Sequence, residues 1–417
     1  SKSSKLKNTF NNVEKKYLNK KIQGITDNSE LVKKNFIFIT IVGDHFNGND
    51  FIDEAMKSGS KLIISDQKHG ENIINLIDLD LKEIYSLLCS CFYEKKPSEI
   101  IAVTGTNGKT SVVEFCRQIW QLAGWKAASL GTLGTKTSNE VSLDNDVSNF
   151  TTLEPFLLYQ ELANLYKKNV SHLALEASSH GLDQKRLVGI SFCGAVFTNL
   201  SHDHLDYHKN LEEYFKSKKK LFTEYLKPGS IVSINLDDIN GLKIFNEIKN
   251  KPYVFVNFGT HKNSELRLIE SKHHDKSWYL KIKFKNHLIE TTLGMLGEFQ
   301  VSNALASAAI CIGLNMDPNF VIKSLAYLKS VSGRMQIVDG HPKNALIIID
   351  YAHTPDALEK AIKSLKIHKK GKLYTLFGCG GNRDTSKRKK MGQVSFENSD
   401  FTIITDDNPR KENSKNI

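Results

Sequence analysis

A short segment, residues 100–111, limits the folds that this chain can adopt. An apolar run leads into the turn Gly-Thr-Asn-Gly, and Lys-Thr-Ser then opens a helical pattern that continues to Leu122. Glycine lets a backbone approach phosphate oxygens closely and adopt dihedral angles closed to other residues. The start of a helix adds unpaired N–H groups and the positive end of its dipole. The segment therefore predicts a strand–loop–helix unit that binds a nucleoside triphosphate.

The phosphate-binding prediction assigns a role to each residue of this loop. Lys109 would neutralise the outer phosphates, and the hydroxyl of Thr110 would ligate Mg²⁺. The usual loop carries one more glycine at the place of Val103, so an ordinary loop is the alternative interpretation. The residues predicted to contact the nucleoside triphosphate are Gly105, Thr106, Asn107, Gly108, Lys109, Thr110 and Ser111.

The length of 417 residues predicts three domains, which we place at 1–98, 99–332 and 333–417. Strand and helix patterns alternate through most of the second domain, which favours an α/β fold with a mostly parallel sheet. Strand patterns alone between residues 265 and 292 predict a small antiparallel sheet. The third domain opens as a second α/β sheet, and we expect that sheet to be incomplete because the chain stops soon after a strand.

Composition argues against several classes of protein. The net charge is +11, but the lysines are spread along the whole chain, and no stretch interleaves aromatic residues with arginines. We therefore expect no nucleic-acid partner. No apolar run approaches the ~20 residues that a membrane span requires. The six scattered cysteines predict reduced thiols and a cytoplasmic protein.

Polar clusters follow four further strand patterns, where open α/β sheets bind ligands. Glu176 ends one strand and is a candidate Mg²⁺ ligand; a surface acid at a strand tip is the alternative. Residues 202–208 hold three histidines and two aspartates, which suit a metal or phosphate, although an exposed polar loop would look similar. Residues 350–355 and 405–410 follow the other two strands. Their alternatives are a helix cap at Thr354 and a turn set by Asn-Pro.

Together with a glycine loop at 378–384, these segments resemble the Mur ligase family, ATP-dependent enzymes that build the peptide of bacterial peptidoglycan. The resemblance covers nearly the whole chain and favours the branch that adds the third residue to UDP-N-acetylmuramoyl-L-Ala-D-Glu. It implies a UDP-binding domain, a central ATPase domain and a Rossmann-like C-terminal domain. The matching segments are Gly-Thr-Asn-Gly-Lys-Thr, Glu-Ala-Ser-Ser-His-Gly-Leu, Thr-Asn-Leu-Ser-His-Asp-His-Leu-Asp-Tyr-His, Asp-Tyr-Ala-His-Thr-Pro-Asp-Ala-Leu and Phe-Gly-Cys-Gly-Gly-Asn-Arg-Asp.

The resemblance also implies a mechanism. ATP would phosphorylate the γ-carboxylate of D-glutamate, and an incoming amine would attack the acyl phosphate and expel phosphate. Lys109 would act with Mg²⁺ held by Thr110 and Glu176, and His204 would lie near a second Mg²⁺. The family's carbamylated lysine matches Lys218, which on the residues alone belongs to a solvated charge run at 216–220.

Substrate contacts are implied in the same way. The implied nucleotide contacts are Asn303, Arg334, Asp350 and His353. The implied muramoyl-peptide contacts are Thr151, Thr152, Ser178, Gln184 and Arg186, and the implied UDP contacts are Ser29, Asp44, His45 and Phe46.

The loop Asp407, Asn408 and Arg410 resembles that of enzymes adding meso-diaminopimelate, with Arg383 in support; lysine-adding relatives lack this arginine. Diaminopimelate carries a second carboxylate, which a planar guanidinium binds through two hydrogen bonds. A lysine substrate would instead place its ammonium beside Arg410.

The chain departs from the family pattern at Asn28, Glu30, Gln300 and Gln336, and it ends before the family's later Gly-x-Gly-His-Glu-like segment. We therefore expect a truncated gene product or a fragment. We also expect a monomer. Four other interpretations stay open: a lysine-adding enzyme, a ligase resembling folylpolyglutamate synthase, a phosphate-loop protein moving on nucleic acid, and an inactive remnant.

Overall fold

The computed structural model describes residues 21–43, 46–70, 73–137, 141–142, 151–204, 207–274, 276–338, 340–343, 345–382 and 384–417. Across these ranges no helix combines the length and the apolar character that a membrane crossing would demand.

The described ranges contain twenty strands and eleven α-helices, which are numbered here in chain order. The strands are β1 (Gly24–Thr26), β2 (Phe36–Ile39), β3 (Leu62–Ser65), β4 (Ile73–Asn75), β5 (Glu99–Thr104), β6 (Ala127–Gly131), β7 (Gly134–Thr137), β8 (Val141–Ser142), β9 (His172–Glu176), β10 (Phe192–Phe197), β11 (Leu226–Ile234), β12 (Val254–Phe255), β13 (Phe258–Gly259), β14 (Leu266–His274), β15 (Ser277–Phe284), β16 (His287–Leu293), β17 (Gln336–Val338), β18 (Ile347–Ile349), β19 (Tyr374–Phe377) and β20 (Phe401–Ile404). The helices are α1 (Ile52–Lys57), α2 (Leu81–Phe92), α3 (Lys109–Leu122), α4 (Pro155–Lys167), α5 (Ser179–Asp183), α6 (Leu211–Lys220), α7 (Ile239–Ile248), α8 (Glu298–Gly313), α9 (Pro318–Ser324), α10 (Pro355–Lys366) and α11 (Ser386–Asn398).

The described residues form two compact units. The first takes the chain up to Ser98 together with Asp146–Ser171 and His180–Ser191, and the second takes Glu99–Asn145, His172–Ser179 and Phe192–Ile417. The predicted domain boundaries at 98 and 332 stay predictions, because the units are not continuous along the chain.

The first unit is built on a parallel sheet in the order β1-β2-β3-β4. Its core contains Phe38, Ile63 and Ile73 from three successive strands, with Ile52 and Ala55 from α1 packed against them. The carboxylate of Asp80 caps α2 by accepting the N–H groups of residues 82 and 83. Strands with apolar side chains on both faces need helices to cover them, which α1 and α2 supply.

The second unit contains an eight-stranded sheet in the order β12-β11-β10-β5-β9-β6-β7-β8. The strands from β12 to β6 run parallel, while β7 and β8 are antiparallel. The predicted parallel α/β sheet is therefore confirmed. Helix α8 is buried along most of its length and packs with α3 against this sheet. The central position of β5 places its carboxyl end between β9 and β10, so loops from three strands meet there.

The rest of the second unit follows the sequence pattern closely. The predicted antiparallel sheet is β14-β15-β16, and the side chains of β15 alternate between buried and more exposed positions. Further along, β17 pairs antiparallel with β18, and β19 pairs parallel with β20. Helices α10 and α11 pack together through Leu358, Ile362 and Met391.

Candidate active site

The loop between β5 and α3 has two positions that only glycine fits. Gly105 has φ +147°, and a Cβ there would overlap the hydroxyl of Thr198. Gly108 has φ +88°, and a Cβ there would overlap the amide of Asn303. Both conformations are strained for other residues. Val103, where the usual pattern has a third glycine, is a fully buried residue of β5, so the loop begins after this position.

Lys109 begins α3 and folds back over the loop. Its Nζ donates to the carbonyl oxygens of Gly105 and Thr106, each at 2.8 Å. Burial lowers the pKa of Lys109 and the Arg334 charge adds to this, whereas the carboxylates of Glu176 and Asp203 raise it. Charged groups of both signs thus surround the loop.

Glu176 ends β9, next to β5, as the sequence predicted. Its carboxylate accepts the Thr132 N–H at 3.0 Å and the Thr132 hydroxyl at 3.2 Å. A Cβ at Gly131 would overlap this carboxylate, so that glycine makes room for it. The side chain is 1% exposed, which excludes the alternative of a surface acid at a strand tip.

Lys218 lies on the buried face of α6, and its side chain is 1% exposed. Its Nζ donates to the Gly105 carbonyl oxygen at 2.8 Å and lies 4.5 Å from the ring centroid of Tyr214. Burial lowers the pKa of Lys218 well below its usual value, the Lys109 charge adds to this, and Asp203 partly opposes it. The interpretation of this lysine as part of a solvated charge run is wrong, although its neighbours Lys216 and Lys219 do form surface ion pairs.

Asp203 is a charged residue of the site that the sequence analysis did not select. Its Oδ2 lies 3.3 Å from Nε2 of His204 and 3.6 Å from Nε2 of His353. Burial alone would raise the pKa of Asp203. The hydrogen bond from His353 and the charges of both imidazoles lower this pKa by more than burial raises it, so the net shift is downward. The dense cluster at 202–208 was the available signal, and only tertiary structure shows which member joins two histidines.

Residues from the last third of the chain reach the phosphate loop. Arg334 donates to the Thr110 hydroxyl at 3.0 Å, and its guanidinium lies 4.2 Å from the ring centroid of Tyr351. The side-chain amide of Asn107 donates to the Asp356 carboxylate at 3.3 Å. Asp356 is a second contact that the sequence analysis missed.

Other predicted nucleotide contacts have structural partners. Asn303 donates to Gln300 at 3.0 Å, and Asp350 accepts the backbone N–H groups of Met335 and Ala352. Thr354 caps α10 ahead of Pro355, as the alternative interpretation of this segment proposed. Capping and a role of the neighbouring Asp350 and His353 are therefore compatible.

The first unit brings together three of the predicted muramoyl-peptide contacts. Arg186 donates to the Thr152 carbonyl oxygen at 2.7 Å and, through Nε and NH2, to the Gln184 side chain at 3.0 and 2.6 Å. Thr151, next in the chain to Thr152, is half-buried. Ser178 belongs to the second unit, two residues beyond Glu176.

The predicted UDP contacts occupy different parts of the first unit. Ser29 is buried in a 3₁₀ turn capped by Asn28, whereas Phe46 is 72% exposed and contacts Phe51. Asp44, His45 and the predicted diaminopimelate contact Arg383 lie outside the described residues.

Two loops meet at the carboxyl ends of β19 and β20. Arg410 has φ +52° and donates through NH1 to the carbonyl oxygens of Gly381 at 3.0 Å and Asn408 at 3.4 Å. Cβ atoms at Gly378 and Gly381 would overlap the opposite loop, so these glycines allow the close approach. Asp407 lines a cavity of about 400 Å³ beside this contact.

Known proteins resemble this chain in sequence over most of its length. The family model of the Mur ligase middle domain matches residues 103–311, and that of the Mur ligase glutamate ligase domain matches residues 333–417. The UDP-N-acetylmuramoyl-L-alanyl-D-glutamate--2,6-diaminopimelate ligase of Rickettsia conorii is 41% identical over 404 residues, which cover 95% of this chain and 82% of that protein. This chain belongs to the Mur ligase family. The family resemblance inferred from the sequence is confirmed.

Solved structures of Mur ligases share the fold. A UDP-N-acetylmuramoyl-L-alanyl-D-glutamate--2,6-diaminopimelate ligase superposes with a TM-score of 0.72 at 30% identity, covering 94% of this chain and 80% of that one. MurF ligase from Thermotoga maritima in complex with ADP has a TM-score of 0.65 at 20% identity, covering 94% and 85%. The second likeness concerns the fold alone.

The glycine at position 108 offers a test of the loop with a matched control. Ala at 108 or at 124 meets positive φ, which costs about 1 kcal/mol of folding free energy in either variant. Only at 108 would the new Cβ also displace Asn303, since the space around Gly124 is open. We expect Gly108→Ala to weaken ATP binding at least about tenfold, equivalent to roughly 1.4 kcal/mol, and Gly124→Ala to leave it unchanged. Urea unfolding and ATP titration measure the two effects; equal ATP affinities would contradict the predicted role of the loop.

Proposed function

We propose that this protein is an ATP-dependent ligase that joins meso-diaminopimelate to the γ-carboxylate of D-glutamate in UDP-N-acetylmuramoyl-L-Ala-D-Glu, a step of peptidoglycan synthesis. The observation that carries the proposal is the phosphate loop, with Lys109 and Lys218 on one carbonyl oxygen and Glu176 beside it. A relative that is 41% identical bears the name of this activity. All six cysteines are unpaired, which supports a cytoplasmic location.

The proposed reaction has two chemical steps. An oxygen of the γ-carboxylate attacks the γ-phosphorus of ATP, which forms an acyl phosphate and releases ADP. The amine of diaminopimelate then attacks the acyl carbon, loses a proton, and inorganic phosphate leaves. Phosphoryl transfer depends mainly on positioning and charge stabilisation. The N-terminus of α3 and the Lys109 ammonium provide both, because their donors already point into the loop.

The donor set suits Mg²⁺. Among the described residues no three acidic, histidine or cysteine side chains gather into a metal site by themselves. Mg²⁺ is commonly held by one or two carboxylates together with substrate phosphates and water. Glu176 and the Thr110 hydroxyl supply hard oxygen donors, and His204 is the candidate for a second ion. Bound Mg²⁺ would neutralise charge on the transferred phosphoryl group.

Lys218 is proposed to be carbamylated. Its lowered pKa leaves a share of the amine neutral, and a neutral amine can attack CO₂. The new N–C bond forms as one N–H proton passes to solvent, which replaces a cation by a carboxylate-like group. That group is compatible with a nearby metal ion, whereas an ammonium is not.

The Asp407–Arg410 loop supports the choice of diaminopimelate. Arg410 donates through NH1 to two backbone carbonyl oxygens. A carboxylate is a stronger acceptor for a guanidinium than a neutral carbonyl is. The second carboxylate of diaminopimelate therefore fits at Arg410, with Arg383 proposed as its neighbour. A monomeric state and the absence of a nucleic-acid partner stay predictions from the sequence.

Phosphate release tests the substrate assignment. With ATP, Mg²⁺ and UDP-MurNAc-dipeptide, we expect kcat/KM for diaminopimelate to exceed that for lysine by about 100-fold or more, because lysine leaves Arg410 unpaired. Arg410→Ala should remove most of this preference. The control Arg267→Ala, at a half-buried arginine of β14 that donates to the Thr260 carbonyl oxygen, should keep it. Equal or better turnover with lysine by the unmodified protein would refute the assignment.

A further inference from the structure

Arg186 in the first unit is a buried guanidinium with an unexpected partner. Its side chain is 7% exposed, and its NH2 lies 2.6 Å from the Glu154 Oε1. Glu154 precedes α4, just after the predicted substrate contacts at 151 and 152, and 31% of its side chain stays open to solvent. A ligand that reaches Arg186 therefore meets Glu154 as well.

A second acid faces the same guanidinium. Asp27 follows β1, accepts a hydrogen bond from Tyr85 of α2, and interacts electrostatically with Arg186. The other charged groups around Glu154 are Lys82 of α2, which attracts it, and the ionisable Tyr85. Lys185 is already held by two acids, Asp80 and Glu83, each at 2.9 Å.

An anionic ligand at Arg186 would bind next to two acidic side chains. One buried guanidinium faces two carboxyl groups before any ligand arrives. An anionic ligand brings a third negative charge to the same cation, and like charges in a poorly solvated site do not all stay ionised. The group that can neutralise most readily is a carboxylate, by taking a proton from solvent.

We propose that Glu154 takes up a proton when the anionic muramoyl-peptide substrate binds at Arg186, so that substrate binding is coupled to proton uptake. The proposal rests on the proposed function, which makes Arg186 a substrate contact. Glu154 is then a positioning residue. In the free protein its carboxylate pairs with Arg186, and once Glu154 is protonated the guanidinium can pair with the anionic ligand instead.

The electrostatics of the free protein favour Glu154 over its neighbours. Burial raises the pKa of Glu154 to about 7, and Asp27 raises it while Arg186 and Lys82 lower it. Glu154 is therefore about half ionised at pH 7 and mostly ionised at pH 8. An added anion raises its pKa again, so substrate affinity is highest below pH 7. Affinity then falls by up to about tenfold per pH unit above 7, because more protons must be bound.

Calorimetry of UDP-MurNAc-dipeptide binding to the full chain tests this coupling. Titrations at pH 8 in two buffers of different ionisation enthalpy give the number of protons taken up. We expect close to one proton for the unmodified protein and none for Glu154→Gln, whose amide oxygen still accepts from Arg186. The affinity of Glu154→Gln should also lose its decline between pH 7 and pH 8.

Two variants control for other acids. Asp27→Asn tests the second carboxyl group, and Glu161→Gln replaces another buried acid, on α4 itself, that accepts from Asn164. Uptake retained in both and lost in Glu154→Gln supports the proposal. Substrate binding without uptake in the unmodified protein, or uptake that persists in Glu154→Gln, overturns it and leaves the proposed function intact. Failure of the unmodified protein to bind the substrate overturns the proposed function itself.

Discussion

Lys109→Ala is expected to lower ATP turnover by about 10³-fold with the fold intact. Its Nζ lies 2.8 Å from two loop carbonyl oxygens, where the phosphates of ATP would offer stronger, charged acceptors. Removing one preorganised donor from a developing charge costs about 10²–10³ in rate, and here a full positive charge is lost as well. Phosphate release in the presence of both substrates measures the loss.

The fold should tolerate this change because Lys109 is half-buried and its contacts are to backbone atoms at the start of α3. Thermal unfolding should therefore be nearly unchanged. Lys216→Ala is the matched control: it removes the same charge from an exposed position whose partner is Glu213, and its turnover should equal that of the unmodified protein. Near-normal turnover in Lys109→Ala would remove this lysine from the proposed role.

Local sequence patterns predicted the parts of the fold that depend on neighbours in the chain. The glycine turn between β5 and α3, the parallel strands around it and the cap at Thr354 all lie where short motifs predicted them. The division into units was not accessible in this way. Contacts such as Arg186 with Thr152, and Ser86 with the Lys185 carbonyl oxygen, tie segments from different parts of the chain into the first unit.

Partners within the site were harder to foresee than the site itself. Asp203 and Glu154 sit beside predicted residues, but their roles depend on which side chains tertiary structure places next to them. Lys218 did carry a signal, because it follows Tyr214 by four residues and both lie on the buried face of α6. Within the polar run at 216–220, the position of each residue on the helix distinguishes the buried Lys218 from the solvated lysines.

Activity that depends on CO₂ is the expected result of Lys218 carbamylation. In buffers stripped of CO₂ we expect turnover to fall by about 10²-fold, because the free amine lacks the carboxylate-like charge that would help to hold Mg²⁺ at the phosphates. Added bicarbonate should restore turnover, and ¹³C-bicarbonate should give one carbamate resonance by NMR. Lys218→Ala should lose activity to a similar or greater extent.

The response to bicarbonate separates a chemical role from a structural one. Lys218→Ala lacks the amine, so bicarbonate should neither restore its turnover nor produce the carbamate resonance. Lys219→Ala, next in the chain but paired on the surface with Glu247, should keep both the activity and the response. If the turnover of the unmodified protein does not depend on CO₂ and its spectrum lacks the carbamate resonance, Lys218 acts as an unmodified amine. Its hydrogen bond to Gly105 would then be its whole contribution, holding the loop in the shape that receives the phosphates.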